Sequence, residues 1–231
     1  LNRRLLFVVN VDSFFISHRL QIALAALQQG FEVHVATGLT TYKDKMKELG
    51  LTVHPLNLNR SSSDMFSNSH TFLQILTIFI REMPDIIHLV TIKPYLFGGI
   101  AARLVGIQCV VSAVAGLGSV FTKNNLCSQI FRALLFPFYR FAFGHINQKV
   151  IVQNQNDCNA LVRWGVLDPV KVRLLYGSGV DLATFTKFDE PDGIPKIVFA
   201  ARMLRDKGVY DFVKAARLLN ERGIKALFRL A

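Results

Sequence analysis

Short apolar runs recur along the whole chain, and between them lie longer stretches whose apolar positions follow a helical period. That alternation restricts the fold to strands laid parallel in a sheet, with helices crossing on both of its faces. Residues 5–10, 31–37, 51–56, 86–91, 108–113, 149–153 and 171–176 are the predicted strands of one sheet. They are dense in Val, Ile and Leu instead of alternating with polar residues, as strands covered on both faces are. Between the first two, residues 17–29 set Leu20, Ala23, Leu24 and Leu27 on one helical face and stop at Gly30, a favourable C-terminal cap. The same reasoning predicts helices over 42–49 before Gly50, 72–81 before Pro84 and 96–105 before Gly106.

The pattern pauses at 187–195, KFDEPDGIP, where acids, Pro and Gly crowd a stretch with little to bury. Such a composition reads as a linker. The alternation then restarts, with a strand over 196–201, a turn over 202–207, a helix over 208–222 closed by Gly223 and a strand over 224–231. The expected organisation is a Rossmann-like α/β domain over residues 1–186, then, from 187 to 231, a linker and the first βαβ of a second, incomplete Rossmann-like domain. Leu1 in place of Met, and the strand-like LFRLA ending at Ala231, lead to the expectation that the sequence is a piece of a longer protein. With 231 residues, 51% hydrophobic and 19% charged, the composition is that of a globular chain and not a disordered one. Cys109, Cys127 and Cys158 form no C-x-x-C pair, which disfavours a disulfide framework or a thiolate zinc site and fits a reducing compartment. No apolar run reaches the ~18 residues of a membrane span.

Several familiar sites are missing from the sequence, among them G-x-x-x-x-G-K-[ST], G-x-S-x-G and H-E-x-x-H. Gly116-Leu117-Gly118 and Gly177-Ser178-Gly179 each give G-x-G after a strand but lack the third glycine of a dinucleotide site. A tight turn accounts for them, and NAD-dependent chemistry is disfavoured. The most specific stretch is FAARMLRDKGVYDFVKAARLL, residues 199–219, where a strand runs into Arg202 and a polar turn carries Lys207-Gly208 ahead of an amphipathic helix. Two cations beside a helix N-terminus can hold a diphosphate, through a planar guanidinium fork, a compact ammonium and the first helical N–H groups. A pair of solvated surface cations has the same spacing.

That stretch resembles the R-x-x-x-x-K-G motif that opens the C-terminal domain of family 4 glycosyltransferases, retaining enzymes of the GT-B fold with two facing Rossmann-like domains. Other segments agree in order. VNVDSFFISHRLQIALAALQQGFEVHVAT is similar to the family's first βαβ unit and PDIIHLVTIKPYLFGGIAARLVGI to its fourth strand and helix. VIVQNQNDCNAL is similar to its V-x-N-x-x-D segment, and LLYGSGVDLATF to its G-V-D-x-x-x-F approach to the hinge. The likeness spans essentially all of the chain and is nearest to the bacterial subgroup that adds sugars to polyprenyl-diphosphate-linked acceptors for surface polysaccharide, lipopolysaccharide or capsule.

The resemblance implies that Arg202 and Lys207, with Gly208, bind the diphosphate of a nucleotide-diphospho-sugar donor such as a UDP-sugar. It also implies that the two cations stabilise the charge that develops as the glycosidic bond breaks, an effect worth about 2–4 kcal/mol per preorganised donor. The motif departs at Ala201, where the family commonly has Gly. On the acceptor side, the family's Gly-Gly loop is replaced by Asp12-Ser13-Phe14-Phe15. Ser13 and Phe14 in that loop, His18 and Arg19 at the following helix start, and Gly116 are the expected acceptor contacts, together with His88. The catalytic-site histidine of many members aligns with Val90, so His88 does not inherit that role; it is either a satisfied core histidine, the commoner state, or a direct ligand contact. Neither a metal nor a cofactor is expected, the nucleotide-sugar being a substrate. The paired Glu that relatives use for the donor sugar and ribose have no counterpart in this sequence, so the chain alone is expected to transfer no sugar.

Residues 121–173 hold seven Lys or Arg against two Asp or Glu and include the run IFRALLFPFYRFAFGH. Phe131, Leu134, Leu135, Phe138, Phe141 and Phe143, with Arg132 and Arg140 interspersed, suit a lipid-headgroup interface beside a lipid-linked acceptor. A buried helix pair kinked or broken at Pro137 suits them equally. The expected location is cytoplasmic, peripheral on the cytoplasmic face of the inner membrane. A net charge of +11 and a pI near 9.9 also fit a nucleic-acid-binding module. The charges are dispersed, however, and the Phe residues lie in apolar helices, so no nucleic-acid partner is expected. Another GT-B sugar-nucleotide enzyme, such as an epimerase, is the remaining alternative.

Overall fold

A computed structural model describes residues 3–58, 65–116, 126–201 and 203–231, which divide into two units, Leu1–Gly179 and Val180–Ala231. In the first unit the apolar runs become β1 (Arg4–Val11), β2 (Glu32–Gly38), β3 (Thr52–Pro55), β4 (Ile86–Val90), β5 (Cys109–Val114), β6 (Gln148–Val152) and β7 (Val172–Leu174). Every pairing is parallel, in the order β3-β2-β1-β4-β5-β6-β7. The expected α/β architecture is thus present. β1 and β4 lie side by side with Phe7 opposite His88 and Val9 opposite Val90. Strand succession runs outward from this pair in opposite directions, which opens a crevice at their carboxyl ends.

The crossing helices are α1 (Asp12–His18), α2 (Leu20–Gln28), α3 (Lys43–Glu48), α4 (Met65–Glu82), α5 (Gly99–Val105), α6 (Leu126–Ala142) and α7 (Gln155–Arg163). They cover both faces. On one, Leu6, Val8, Ile87 and Leu89 pack with Ile75, Phe79, Ala101, Tyr139 and Leu161; on the other, Phe7, Val9, Val33 and Val35 pack with Phe15, Ala23 and Met46. The successive residues of β1 part to opposite faces because the side-chain period of a strand is two. Asn154, in the V-x-N-x-x-D segment, caps α7 by accepting a 2.8 Å hydrogen bond from the Asp157 N–H.

Three helical expectations need correction. The segment 12–15, expected as a loop, is the first turn of α1. Asp12 sets it there: its carboxylate accepts from the N–H of Ser13 at 2.7 Å, of Thr40 at 2.7 Å and of Tyr42 at 3.2 Å, and from the Thr40 hydroxyl at 2.6 Å. A negative side chain at a helix N-terminus also complements the axial dipole. Second, the single helix expected over 17–29 is broken at Arg19, whose φ of −131° and ψ of −13° leave helical geometry. His18 and Arg19 therefore mark the end of α1 and its junction with α2, not a helix start. Third, the helix over 96–105 begins as a π turn, Pro94–Gly98, before α5. A Cβ on Gly98 would lie 2.5 Å from Leu89 Cδ2, and one on Gly99 2.8 Å from the Ala142 carbonyl oxygen, so two glycines let this segment seat between β4 and α6.

Pro137 lies inside α6, which continues through it. The aromatic-basic run divides by helical phase. Phe143 and Tyr139 are buried, and Arg132 is buried with its guanidinium 5.8 Å from the centre of the Trp164 ring. Ile130, Leu134, Phe138 and Phe141 form an exposed stripe. Phe143 and Arg132 are thus core-facing and not interfacial; the side chain of Phe131 lies outside the described residues.

In the second unit, residues 187–195 are exposed and carry no helix or strand. β8 (Lys196–Phe199) and β9 (Leu227–Leu230) pair in parallel around α8 (Val209–Glu221). Phe212 on α8 joins the strands by ring contacts with Phe199 at 5.3 Å and Phe228 at 5.7 Å.

Candidate active site

The carboxyl edge of β1 and β4 gathers polar atoms that the fold buries and leaves without a partner: Asn10 Oδ1, Arg19 Nε, His88 Nε2 and Thr91 Oγ1. Buried polar atoms are almost always hydrogen-bonded, so such a concentration marks a place where a ligand or water completes the set. Arg19 is the decisive member. It is 6% exposed, and its Nη1 donates to the His18 carbonyl at 2.8 Å and to Ser178 Oγ at 3.0 Å. Among the described residues no carboxylate pairs with it. Burial lowers its pKa from the ordinary arginine value, yet a guanidinium starts so high that the charge persists.

His88 is 8% exposed and packs edge-on against Phe7 at 5.3 Å. Burial, seconded by the Arg19 charge, lowers its pKa to about 3, so at neutral pH it presents an uncharged ring. It is buried, as a core histidine would be, but its Nε2 is unsatisfied. Thr91 closes β4 with φ +77°, a left-handed backbone that is strained for a β-branched residue and found where function over-determines the chain. Lys93 follows, its pKa lowered by burial. Asp12 is pushed up by burial, but the hydrogen bonds from Thr40, Tyr42 and Ser13 outweigh that and leave its carboxyl below the usual range.

Of the expected acceptor residues, Arg19 and His88 meet at this edge. Ser13 is exposed on α1, and Phe14 stacks on His18 at 4.1 Å, while His18 Nδ1 lies 2.6 Å from Ser17 Oγ. Gly116 follows β5 at the same sheet edge with φ +144°. Asn10, Thr91 and Ser178 were missed. The signals for them were weak ones: a polar residue ending each apolar run, and a serine inside a G-x-G that a tight turn already explained.

In the second unit, Lys207 is exposed, and among the described residues no carboxylate pairs with it. Gly208, at φ +86°, turns the chain into α8, whose first N–H groups have no intrahelical acceptors. Arg202 lies outside the described residues. Among those described, the only group of three metal-ligating side chains is at the opposite, amino edge of the large sheet: His34, His54 and Glu82.

Residues 4–154 match the family described as glycosyl transferase 4-like. The chain belongs to that family. As a glycosyl transferase 4-like protein it is 23% identical to the N,N'-diacetylbacillosaminyl-diphospho-undecaprenol alpha-1,3-N-acetylgalactosaminyltransferase of Campylobacter jejuni, over 90% of this chain and 58% of that protein. Its fold is shared with HepE from Anabaena, solved with UDP and glucose, at a TM-score of 0.67 and 13% identity over 94% of this chain and 58% of that one. It is shared too with a UDP-N-acetylglucosamine 2-epimerase from Rickettsia bellii, at a TM-score of 0.55 and 12% identity over 100% of this chain and 62% of that one. The glycosyl transferase 4-like chain thus spans 58% of the length of the Campylobacter relative.

Proposed function

We propose that this chain carries the acceptor-binding domain, and the opening of the nucleotide-sugar-binding domain, of a retaining glycosyltransferase. In this reading the enzyme moves a sugar from a nucleotide-diphospho-sugar to a saccharide linked through diphosphate to a polyprenyl lipid. The observation that carries it is Arg19, a buried cation at the β1–β4 crevice with an unused N–H and, among the described residues, no carboxylate partner. Such a charge is costly to bury alone and is relieved by an anion. A diphosphate supplies the anion, and the hydroxyls of the attached sugar can serve Asn10 Oδ1, His88 Nε2 and Thr91 Oγ1. The name of the Campylobacter relative specifies a diphospho-undecaprenol-linked acceptor, which is the same chemistry. On the donor side, Lys207, Gly208, the N-terminal amides of α8 and, by the family motif, Arg202 would receive the leaving diphosphate and stabilise its growing charge. The reaction so read needs no metal, and it belongs at the cytoplasmic face of a membrane where the lipid acceptor resides. The exposed stripe on α6 would meet the headgroups, beside a 690 Å³ hollow that Arg103, Arg140 and Lys171 line.

Titration of the chain with a short-chain polyprenyl-diphospho-N-acetylhexosamine tests the reading by calorimetry. Saturable binding is expected, weakened about tenfold or more in Arg19→Gln, since a hydrogen bond to a charged group is worth roughly 1.5–3 kcal/mol. Binding equal to that of a neutral polyprenyl glycoside would overturn it. Release of an epimerised nucleotide sugar, without acceptor, would favour the epimerase.

A further inference from the structure

At the amino edge of the large sheet, away from the crevice, β2 and β3 bring two buried histidines together. His34 is 2% exposed and His54 6%, and their rings stack at 5.1 Å. His34 Nδ1 lies 3.0 Å from His54 Nε2 and 3.6 Å from Glu82 Oε2, at the end of α4. The three ligand atoms all lie within 4.8 Å of one another. Nothing in the proposed transfer reaction uses them.

We propose that His34, His54 and Glu82 form a binding site for a divalent cation of the zinc class. The spacing suits it. Tetrahedral ligands at 2.0–2.1 Å from zinc lie about 3.3–3.4 Å from each other, and the two separations given above bracket that value. The donor set, two imidazoles and a carboxylate, is that of a three-ligand zinc site whose fourth position is left to water. His34 Nε2, on the far side of its ring, is 2.8 Å from Glu32 Oε1. A carboxylate behind a ligating histidine fixes the tautomer that exposes the other nitrogen to a metal. Access exists as well: a 410 Å³ hollow lined by His54, His70, Gln74 and Arg81 opens beside the cluster.

The same atoms are now joined by a proton. Arg81 Nη2 donates to His54 Nδ1 at 3.1 Å, which leaves His54 Nε2–H to donate to His34 Nδ1, and His34 Nε2–H to donate to Glu32. The cation would take the place of the proton between the two rings. His54 then carries its proton on Nδ1 instead, with no net proton released, and the Arg81 guanidinium withdraws. Its side chain is 64% exposed and also donates through Nε to Glu82 Oε1 at 2.7 Å, so it holds both a ring nitrogen and a carboxylate that the cation would claim. Arg4 stays beside the carboxylates, 3.1 Å from Glu32 and 3.7 Å from Glu82. Arg81 is therefore a competitor of the cation, and Glu32 a supporter of it.

Zinc alone, titrated into chelator-treated chain, tests the site. The expected result is saturation at one Zn²⁺ per chain and a rise in the thermal midpoint. Arg81→Ala, an exposed change that spares the core, should bind at least about tenfold more tightly, since both of its charge-assisted hydrogen bonds to the ligand residues cease to compete. Glu32→Gln should bind about 10–100-fold more weakly, as loss of an outer-sphere partner does. Cobalt in place of zinc should give the intense visible bands of a tetrahedral ion. Absence of saturable binding overturns the proposal. So does an Arg81→Ala affinity no higher than wild type, or unchanged affinity in folded Glu82→Gln, which would put the ion elsewhere.

Discussion

Arg19 and His88 are both basic side chains buried at one crevice, and burial treats them differently. The guanidinium keeps its proton, and the imidazole, with a pKa lowered to about 3, gives its proton up on folding. In the unfolded chain His88 takes a proton below about pH 6.5. Its contribution to stability is accordingly present above that pH and is lost as pH falls toward the folded value, by about 1.4 kcal/mol per unit. Urea midpoints measured from pH 7 to 4.5 should fall less steeply in His88→Gln than in wild type; parallel slopes would show that His88 is protonated in the folded state at no cost. Both residues were legible in the sequence because a cation near a strand–helix junction and a histidine inside an apolar run stand out locally. Asn10, Thr91 and Ser178 did not stand out. Ser178 reaches Arg19 across 159 positions of sequence, and a contact of that kind follows from strand order, which no local pattern contains.

Among elements, the strands were the most legible, since each is an apolar run whose burial on both faces shows directly in its composition. The breaks were not. The kink at Arg19 depends on how α1 and α2 pack, and the π turn at Pro94–Gly98 has no period of its own to detect. Gly99 shows which force decides there. Alanine at a helical position gains up to about 1 kcal/mol in propensity, but its Cβ would press on the Ala142 carbonyl at 2.8 Å, and overpacking costs about 1–3 kcal/mol. Gly99→Ala should therefore lower the urea midpoint despite the better helix former. α6 resolves the other ambiguity of the sequence by phase, sending Tyr139 inward and Leu134, Phe138 and Phe141 outward. Flotation with anionic vesicles should carry the wild-type chain upward. The double change Phe138→Ser with Phe141→Ser should abolish this without loss of fold, because both rings are exposed; a wild type that stays at the bottom removes the membrane from the reading.

At the scale of the molecule, the family match ends at residue 154, just past β6, while the large sheet continues to β7. The second unit has, among its described residues, no buried side chain, and holds together through one helix and three rings in tilted and edge-on contact. The two sheets also differ at their margins. The large one finishes on Thr52–Pro55 at one side and Val172–Leu174 at the other, strands so short, one of them closed by proline, that a foreign chain finds little open backbone to pair with. The ribbon β8–β9 carries exposed Ile197, Val198, Leu227 and Leu230 and is paired on one side of each strand only. Val198→Lys, a charge of the kind that blunts open strands, should raise the concentration at which light scattering begins, and a matching change on β3 should not. Association through open strand edges is thus expected of the smaller sheet, where exposed apolar side chains and unpaired backbone coincide.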